Sequence, residues 1–570
     1  MNKITLTIDD QVVEVEAGTT ILEAARKAGV EIPTLCYHPD LSLHGSCRVC
    51  VVEDLDSNRL LASCVVPAQD GMKISTRSAK ARKARKMNVE LLLANHPNDC
   101  LGCDRSGNCE LQDLTYNLGI TRESVNRFAG EKREVPLDTA GVALKRDPNK
   151  CILCGRCVRV CKEIQGLGTL EFSGCGFDSV VTTAFDLPQS EVNCAKCGQC
   201  AAICPVGAIT EVNDIEKVWD ALADPEKHVV VQTAPTIQVS IGEEFGFEPG
   251  TVVTGKLIAA LRRLGFDKVF STEFSADLTI LEEGNEFINR IKGNKNLPHI
   301  TSCCPGWVKY AEQNYPDLLE HLSTAKSPQQ MFSTITKTYY AEKAEIDPKN
   351  IFTVSIMPCT AKKFESSRDE HRDSGFQDTD AVLTTRELAR MIKEAGIDFV
   401  NLADEEYDQI MGSATGAGTI FGTTGGVTEA ALRTVKEVLT GETLDKLELG
   451  IMGVREAEVE IADRTYKIAI VSGLANAAKV LDDVRAGKSE YDWIEIMACP
   501  HGCVGGGGQP IPTNLEIKKK RAAGLSSIDQ TSTIRKSHEN PDVLKLYEEY
   551  LGEPLSGKSH ELLHTTYQAR

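Results

Sequence analysis

The sequence lacks the features of a membrane-spanning or nucleic-acid-binding protein. None of its apolar runs approaches the ~18 residues that a membrane-spanning helix requires. Basic residues are too few to balance the acidic ones, since 63 Lys and Arg stand against 82 Asp and Glu, a net charge of −19. This balance disfavours nucleic acids and anionic membranes as partners. Because the N-terminus also lacks an apolar signal core, we expect a cytoplasmic protein.

A nucleotide-binding loop is missing as well. The sequence contains no Rossmann G-x-G-x-x-G fingerprint, and the glycine run at 505–508 lacks the Lys-Ser/Thr of a phosphate loop. The hydrophobic fraction of 41% and the charged fraction of 25% are ordinary for a globular protein. A length of 570 residues predicts about three to five domains.

Cysteine is the residue type that the sequence has in excess. The chain holds 21 cysteines, and sixteen of them lie before residue 205. A cytosolic protein does not keep so many thiols for disulfides, so their clustering indicates metal binding. The first group, in a segment that alternates like a small sheet, can hold a two-iron cluster or zinc; the wide spacing favours the cluster. Its members are Cys36, Cys47, Cys50 and Cys64.

A second group combines one imidazole with three thiols in the run HPNDCLGCDRSGNC. It consists of His96, Cys100, Cys103 and Cys109. Such a set can hold zinc or a four-iron cubane, and the neighbouring cysteine groups favour the cubane. A neutral imidazole in place of a thiolate makes a cluster less negative, which changes its reduction potential.

Two runs about 43 residues apart share the spacing C-x2-C-x2-C-x3-C of two-cluster bacterial ferredoxins, in which each fourth Cys ligates the other cluster. Lys162 stands where that pattern usually has Pro. One predicted cubane is ligated by Cys151, Cys154, Cys157 and Cys204, and the other by Cys161, Cys194, Cys197 and Cys200. Cys175 is left over, and we expect it to be a small buried hydrophobe.

Beyond Pro205 the composition changes to apolar strands that alternate with amphipathic helices, which is typical of an α/β domain. The five remaining cysteines lie at strand-to-loop junctions in the segments TSCCPGW, MPCTAKKFE and EIMACPHGCVGGGGQP. Sites form at the ends of parallel strands, so these segments should converge. Four of these thiols would hold a further cubane, and the fifth would be free for chemistry.

These three segments together resemble the signature segments of the [FeFe]-hydrogenases, and the N-terminal cysteine groups resemble the larger members of that family. The resemblance implies an active-site H-cluster, which is a cubane bridged by one Cys to a two-iron unit with CO, CN⁻ and an amine-bearing dithiolate. It implies cubane ligation by Cys304, Cys359, Cys499 and Cys503, with Cys503 as the bridge. With one [2Fe-2S] and three accessory [4Fe-4S] clusters, the chain would carry four clusters besides the H-cluster.

The resemblance also implies roles for the neighbouring residues. Lys362 would bind a cyanide, and the pocket would be lined by Pro235, Gln329, Met357, Phe421 and Met497. Protons would pass from Cys303 through Glu283, Ser323 and Glu286 to Arg290 at the surface. Glu283 and Glu286 are three residues apart, so they share a helix face. His501 stands where Gly is common. It either alters the pocket or the proton traffic or is a surface-turn variation, and we favour the surface-turn variation.

The expected fold is a multidomain α+β and α/β chain with five segments. They are a β-grasp [2Fe-2S] ferredoxin-like domain (1–78), a His/Cys3 [4Fe-4S] module (79–125), a bacterial 2[4Fe-4S] ferredoxin domain (126–212), a large α/β H-cluster domain (213–510) and a C-terminal tail packed on that domain (511–570).

The implied activity is reversible H2 oxidation and proton reduction, so H2 and protons are the substrates. The electron partner is either soluble ferredoxin or NAD(H)- and flavin-binding partner subunits, and maturation proteins would supply the two-iron unit. Two other classes compete with the enzyme. A pure electron conduit would not need TSCCPGW, and a hydrogen sensor with a degraded site conflicts with intact Cys303 and Lys362.

Overall fold

The computed structural model describes residues 3–444, 453–462 and 464–570; the remaining residues of the segments at 1–78 and 213–510 lie outside the description. The N-terminal module is a five-stranded sheet in the order β2-β1-β5-β3-β4 with one helix against it. A capping box of Thr20 and Glu23 begins that helix. Its elements are β1 (Lys3–Ile8), β2 (Gln11–Glu16), α1 (Ile21–Lys27), β3 (Val51–Asp54), β4 (Arg59–Ala62) and β5 (Lys73–Ser75).

Three helices follow, α2 (Ala79–Asn95), α3 (Glu110–Asn117) and α4 (Arg122–Asn126). The buried face of α2 packs into a core that includes Cys36 and Cys47 of the preceding module. Arg85 is buried on this face and donates from Nε to the Val51 carbonyl at 2.9 Å. Residue His96 is the C-cap of α2, so the helix carries the first member of the second cysteine group.

The next module repeats one small unit twice. The helices α5 (Arg156–Arg159) and α6 (Gln199–Ala202) each begin after a left-handed glycine, Gly155 with φ 69° and Gly198 with φ 73°. A π-helical turn, Val160–Ile164, continues α5. The outer strands β6 (Leu144–Arg146) and β9 (Ile209–Glu211) pair antiparallel, and a hairpin of β7 (Glu171–Ser173) and β8 (Val180–Thr182) is inserted between the units.

Cys175 lies in the turn of this hairpin and is exposed. The prediction of a buried thiol was therefore wrong. The cysteine sits on a short two-stranded insertion, which is too small to enclose its own side chains.

In its described residues, the large domain forms two four-stranded sheets. The first is fully parallel, and the second pairs a parallel set with one antiparallel edge strand. The first sheet has the order β11 (Lys268–Ser271), β10 (His228–Thr233), β13 (Ile351–Met357) and β14 (Ala381–Thr384). The second has the order β12 (His299–Ile300), β17 (Trp493–Met497), β16 (Arg464–Ser472) and β15 (Val454–Ile461).

Helices cover both sheets. They are α7 (Ile215–Ala223), α8 (Thr254–Leu264), α9 (Thr272–Gly293), α10 (Pro305–Asn314), α11 (Pro328–Ile335), α12 (Ala341–Ala344), α13 (Ala361–Ser366), α14 (Thr385–Glu394), α15 (Gly416–Ile420), α16 (Gly426–Thr440) and α17 (Leu474–Arg485). Among the described residues, the model contains no helix with the length and apolar character needed to cross a bilayer.

The C-terminal segment contributes α18 (Leu515–Thr531), α19 (Pro541–Leu546) and α20 (Gly557–Leu563). It packs on the large domain through buried polar contacts. Arg433 pairs with Asp529 at 2.9 Å, and Asp277 accepts hydrogen bonds from Ser537 and Asn540 at 2.7 and 2.8 Å. Beyond α20, the backbone of Thr565 donates to the Thr324 carbonyl.

Candidate functional site

One cavity lies where the carboxyl ends of strands from both sheets of the large domain meet. The empty space between its lining residues, including the part open to solvent, is about 730 Å³. We call it the active-site cavity. It brings together all the residues that the sequence assigned to the H-cluster pocket, namely Pro235, Cys303, Cys304, Gln329, Met357, Cys359, Lys362, Phe421, Met497, Cys499 and Cys503.

Strand ends explain how segments so far apart in sequence reach one cavity. Met357 ends β13 and Met497 ends β17, so Cys359 and Cys499 follow directly in the loops. Cys304 caps α10, and its Sγ accepts a hydrogen bond from the Ala498 backbone at 3.5 Å. The carboxyl ends of parallel strands thereby supply the thiols.

The active-site cavity carries a buried cation. Lys362, in the first turn of α13, donates from Nζ to the Cys303 carbonyl at 3.2 Å and to Glu365 Oε2 at 2.9 Å. Burial alone would lower its pKa, but the Glu365 carboxylate outweighs burial and raises the pKa of Lys362. The lysine therefore stays charged and can bind an anionic ligand. Gln329 and Ser327 also donate to Glu365 and hold it in place.

The loop after β17 approaches its neighbours too closely for ordinary side chains. A Cβ on Gly506 would lie 2.2 Å from the Pro358 carbonyl. His501 has a φ of 70° and is only 4% exposed, so its interpretation as a surface-turn variation was wrong. Its carbonyl accepts a hydrogen bond from Thr424, which ties the loop to the start of α16. His tolerates the left-handed region better than most residues, which makes this turn possible without glycine.

A row of polar side chains leads away from Cys303. Burial, followed by the negative charge of Glu286, raises the pKa of Glu283 to about 8. Ser323 lies between the two carboxyls and donates to Glu286 Oε2 at 3.0 Å. Arg290 pairs with Glu286 Oε1 at 2.6 Å. Only 10% of the Arg290 side chain is exposed, so it is mostly buried rather than at an open surface as expected.

Two smaller cavities lie in the repeated module, and each is lined by four of the predicted ligands. The first encloses about 420 Å³ and contains Cys151, Cys154, Cys157 and Cys204. The second encloses about 340 Å³ and contains Cys161, Cys194, Cys197 and Cys200. We call them the middle site and the inner site. The crossed pairing of each fourth Cys, which the spacing predicts, is the pairing that the two cavities display.

The first cysteine group also converges. Cys36 contacts Cys47 and Cys64, and Cys64 also contacts Cys50, so proton sharing among the thiols lowers the pKa of Cys36 and raises that of Cys47. All four thiols are buried at one side of the N-terminal sheet. We call this group the strand-domain site.

The second group, here the histidine site, has a nitrogen ready for a metal. His96 Nε2 is buried and has no hydrogen-bond partner among the described residues, while Nδ1 lies 3.1 Å from the Asn98 backbone nitrogen. Burial lowers the pKa of His96, which favours the neutral imidazole that ligates metals. Cys103 lies close to the repeated module, since a Cβ on Gly207 would be 2.7 Å from its Sγ.

Direct contacts join the sites to one another. Gln199 of the inner-site module donates to the Gly505 carbonyl beside the active-site cavity at 2.8 Å. Arg105, in the histidine-site loop, donates to the Cys204 carbonyl of the middle site at 3.3 Å. Arg159 donates to the Cys36 carbonyl at 2.6 Å and thereby joins the strand-domain site to the same module. The middle site therefore neighbours both N-terminal sites.

Five family models match the chain in the order of these sites. They are the 2Fe-2S iron-sulfur cluster binding domain (1–79), the NADH-ubiquinone oxidoreductase-G iron-sulfur binding region (85–124), the NADH-quinone oxidoreductase subunit 3 ferredoxin-like domain (141–210), the C-terminal domain of the iron only hydrogenase large subunit (227–507) and the iron hydrogenase small subunit (515–570).

Two relatives match this chain over all or nearly all of its length. NADP-reducing hydrogenase subunit HndD of Solidesulfovibrio fructosivorans is 48% identical over the whole of both chains, and iron hydrogenase 1 of Clostridium pasteurianum is 42% identical over 96% of this chain and 97% of its own. The chain belongs to the [FeFe]-hydrogenase family. The solved apo form of a variant of [FeFe]-hydrogenase HydA1 from Chlamydomonas reinhardtii is 43% identical and has a TM-score of 0.58; the match covers 63% of this chain and 99% of that one.

The predicted family, fold class and hydrogenase activity are confirmed. This [FeFe]-hydrogenase has N-terminal iron–sulfur domains, so the zinc alternatives for the first two cysteine groups are replaced by iron–sulfur binding. The electron-conduit alternative is also wrong, because a complete hydrogenase domain follows the N-terminal modules.

Two buried ionisable residues near the cavity were not predicted from the sequence. Glu495 accepts hydrogen bonds from the Gly425 and Thr428 backbones at 2.6 and 2.8 Å, and thereby anchors the start of α16. Burial raises the pKa of Glu495 to about 7. His299 lies beside Glu283. Glu495 stands within the quoted segment EIMAC, but nothing in the sequence marks His299, because its position depends on how β12 packs.

Proposed function

We propose that this hydrogenase interconverts H2 with protons and electrons at an H-cluster held in the active-site cavity. Cys304, Cys359, Cys499 and Cys503 would hold the cubane, and Cys503 would also hold the two-iron unit. The observation that supports this proposal most strongly is that five cysteines line one cavity. If four of them bind iron, Cys303 remains free. When bound, the cluster supplies the metal that binds and splits H2.

The donor set suits that group. Burial raises the pKa of Cys359 and of Cys503 to about 12, so these thiolates form only beside a strong positive charge such as iron. Lys362 supplies a fixed ammonium for a cyanide ligand. The remaining lining residues exclude water and pack around the two-iron unit; they are Pro235, Gln329, Met357, Phe421 and Met497.

Protons leave the cavity along the row that begins at Cys303. The Cys303 thiol gives its own proton to the Glu283 carboxylate and is reprotonated from the cavity. Glu283 suits this exchange because its pKa of about 8 lets it both accept and release protons near neutrality. Ser323 then connects Glu283 to Glu286, whose charge is held by Arg290. Each of these proton transfers uses only side chains of this chain.

The strand-domain site would hold one [2Fe-2S] cluster, and the histidine, middle and inner sites would each hold a [4Fe-4S] cluster; together they would supply the electron path. The contact of Gln199 with Gly505 makes the inner site the last step before the active-site cavity. Arg105 and Arg159 tie both N-terminal sites to the module that holds the middle site. The electron path is therefore branched, with two entrances that join at the middle site.

A nicotinamide-linked partner is the electron source that the comparisons favour. The relative that matches over its whole length is named as an NADP-reducing hydrogenase subunit, and two N-terminal family models come from NADH–quinone oxidoreductase. Since the sequence has no nucleotide-binding fingerprint, NAD(P)(H) and flavin would bind partner subunits. Ferredoxin is the alternative donor, and dedicated maturation proteins deliver the two-iron unit.

Anaerobic H2 evolution by the isolated, matured chain tests this partner. We expect reduced viologen to drive H2 evolution and reduced ferredoxin alone to drive it at least tenfold more slowly. Equal rates with both donors would contradict a dependence on partner subunits. Loss of activity with viologen as well would contradict the H-cluster assignment itself.

A further inference from the structure

His299 is a buried imidazole to which the proton path gives no role. Its ring is 0% exposed, and Nε2 lies 3.6 Å from Glu283 Oε1. Among the described residues, neither ring nitrogen and neither Glu283 oxygen has a hydrogen-bond partner. Buried polar atoms almost always have one. Four unsatisfied atoms at one place therefore require an explanation.

Packing fixes the orientation of this ring. His299 stacks on Trp493, with ring centroids 4.7 Å apart and planes inclined by 24°, and the two residues are paired across β12 and β17. Phe287 packs beside both rings, with its centroid 5.7 Å from that of His299 and 5.1 Å from that of Trp493. The indole in turn donates from Nε1 to Thr428. In this packing, the Nε2 edge of the imidazole faces Glu283.

We propose that His299 is the positioning residue of Glu283: its Nε2–H donates to the carboxyl group and holds it between Cys303 and Ser323. The inference rests on the proton path proposed above. A shift of less than 1 Å converts the 3.6 Å separation into a normal hydrogen bond, and rotation about the terminal torsion of Glu283 supplies such a shift.

An uncharged hydrogen-bond donor suits the position beside Glu283. Burial lowers the pKa of His299 to about 3, so the ring adds no charge of its own. Its N–H stabilises the carboxylate over the acid and thereby opposes the burial that raises the pKa of Glu283. The other ionisable groups that act on this pair are Glu286 and Arg290 on the same helix, with Cys303, Glu495 and Tyr567 from neighbouring elements.

The variant His299→Phe keeps the stacking on Trp493 and removes both nitrogens. In the matured chain, the infrared C=O band of the protonated Glu283 carboxyl, assigned by its loss in Glu283→Gln, reports the pH at which that group is half protonated. We expect His299→Phe to raise this midpoint by about one pH unit, the size of one lost hydrogen bond. His299→Gln retains an N–H donor and should restore the midpoint.

An unchanged midpoint and band position in His299→Phe would overturn the inference, and so would failure of His299→Gln to restore them. Labelling the wild-type chain with ¹⁵N-histidine avoids any effect of a substitution on folding. A ring mode of His299 must then shift when Glu283 titrates, and an unshifted mode contradicts the contact. The Glu283 band can shift in His299→Phe while Glu283→Gln leaves H2 turnover unchanged. That result would contradict the proposed proton path but support the contact between His299 and Glu283.

Discussion

At the scale of single residues, the free thiol separates this site from a simple iron–sulfur centre. Cys303 lines the active-site cavity beside four cysteines that can bind iron, and it lies near Glu283. Burial raises its pKa well above the usual value, so the thiol stays protonated until a base takes its proton. Once the other four cysteines of the cavity bind iron, this protonated thiol is the one available for proton transfer.

Replacing Cys303 with Ala should therefore lower H2 turnover by about 10² to 10⁴, the usual size of a lost acid–base group. The infrared bands of CO and CN⁻ should remain, since no ligand is removed. Cys175→Ala is the matched control because that thiol is exposed and far from the chemistry. Turnover within twofold of wild type in Cys303→Ala would refute the proton path.

Glu283 sets a pH dependence of known sign. Because burial raises its pKa to about 8, the carboxyl is mostly protonated below that pH and mostly charged above it. The acid form supplies protons and the carboxylate accepts them, so the ratio of H2 evolution to H2 oxidation should fall as pH rises through about 8. Glu283→Gln should abolish this inflection. An inflection that survives the substitution would belong to another group.

At the scale of elements, the C-terminal segment contacts the backbone at Ser323, the serine of the proposed proton path. Tyr567 donates from its hydroxyl to the Ser323 carbonyl at 3.0 Å, and Thr565 donates to the adjacent Thr324 carbonyl at 2.8 Å. His564 contacts the Thr324 hydroxyl at 2.8 Å. The family treats this segment as a unit of its own, the iron hydrogenase small subunit. The C-terminal segment therefore fixes the backbone at Ser323 and Thr324, although none of its residues lines the active-site cavity.

Tyr567→Phe removes one hydrogen bond from the Ser323 backbone and should destabilise the folded chain by about 1 kcal/mol. We also expect a larger solvent isotope effect on H2 turnover, because Ser323 is held less firmly in the proton path. Tyr116→Phe is the control, since that side chain is 75% exposed. An isotope effect equal to wild type would leave Tyr567 with a purely structural role.

The sequence was sufficient to predict the sets of cysteine ligands where the spacing of cysteines within a short run determines them. The two C-x2-C-x2-C-x3-C runs were sufficient to predict the crossed ligand sets, because short helices after Gly155 and Gly198 present each run in the same way. It failed where exposure depends on packing between distant segments. Cys175 is exposed because its hairpin is an insertion, and His501 is buried in a loop that packs against the turn at Thr423 and Thr424.

At the scale of the whole molecule, electron delivery and H2 chemistry occupy different modules. The inner site is the only cluster site of the N-terminal modules that the described contacts join directly to the loops around the active-site cavity, through Gln199 and through Thr360, which donates to the Lys196 carbonyl at 2.7 Å. Loss of this site should isolate the cavity from its electron source without changing its chemistry.

Cys161→Ser removes one predicted ligand of the inner site. We expect viologen-driven H2 evolution to fall at least tenfold, while hydrogen–deuterium exchange stays within about twofold, because the substitution impairs the inner-site cluster and leaves every ligand of the active-site cavity in place. Cys175→Ser should change neither rate. Equal losses of both activities would mean that the inner site supports the fold of the cavity rather than electron transfer.

The measurement that tests the central claim most directly is HD formation from H2 in D2O by the matured, isolated chain without any electron donor or acceptor. Heterolytic splitting at the active-site cavity followed by proton exchange along Cys303 and Glu283 predicts steady HD release, which Cys303→Ala should reduce by about 10² or more. A chain that shows the CO and CN⁻ bands yet forms no HD would contradict the account.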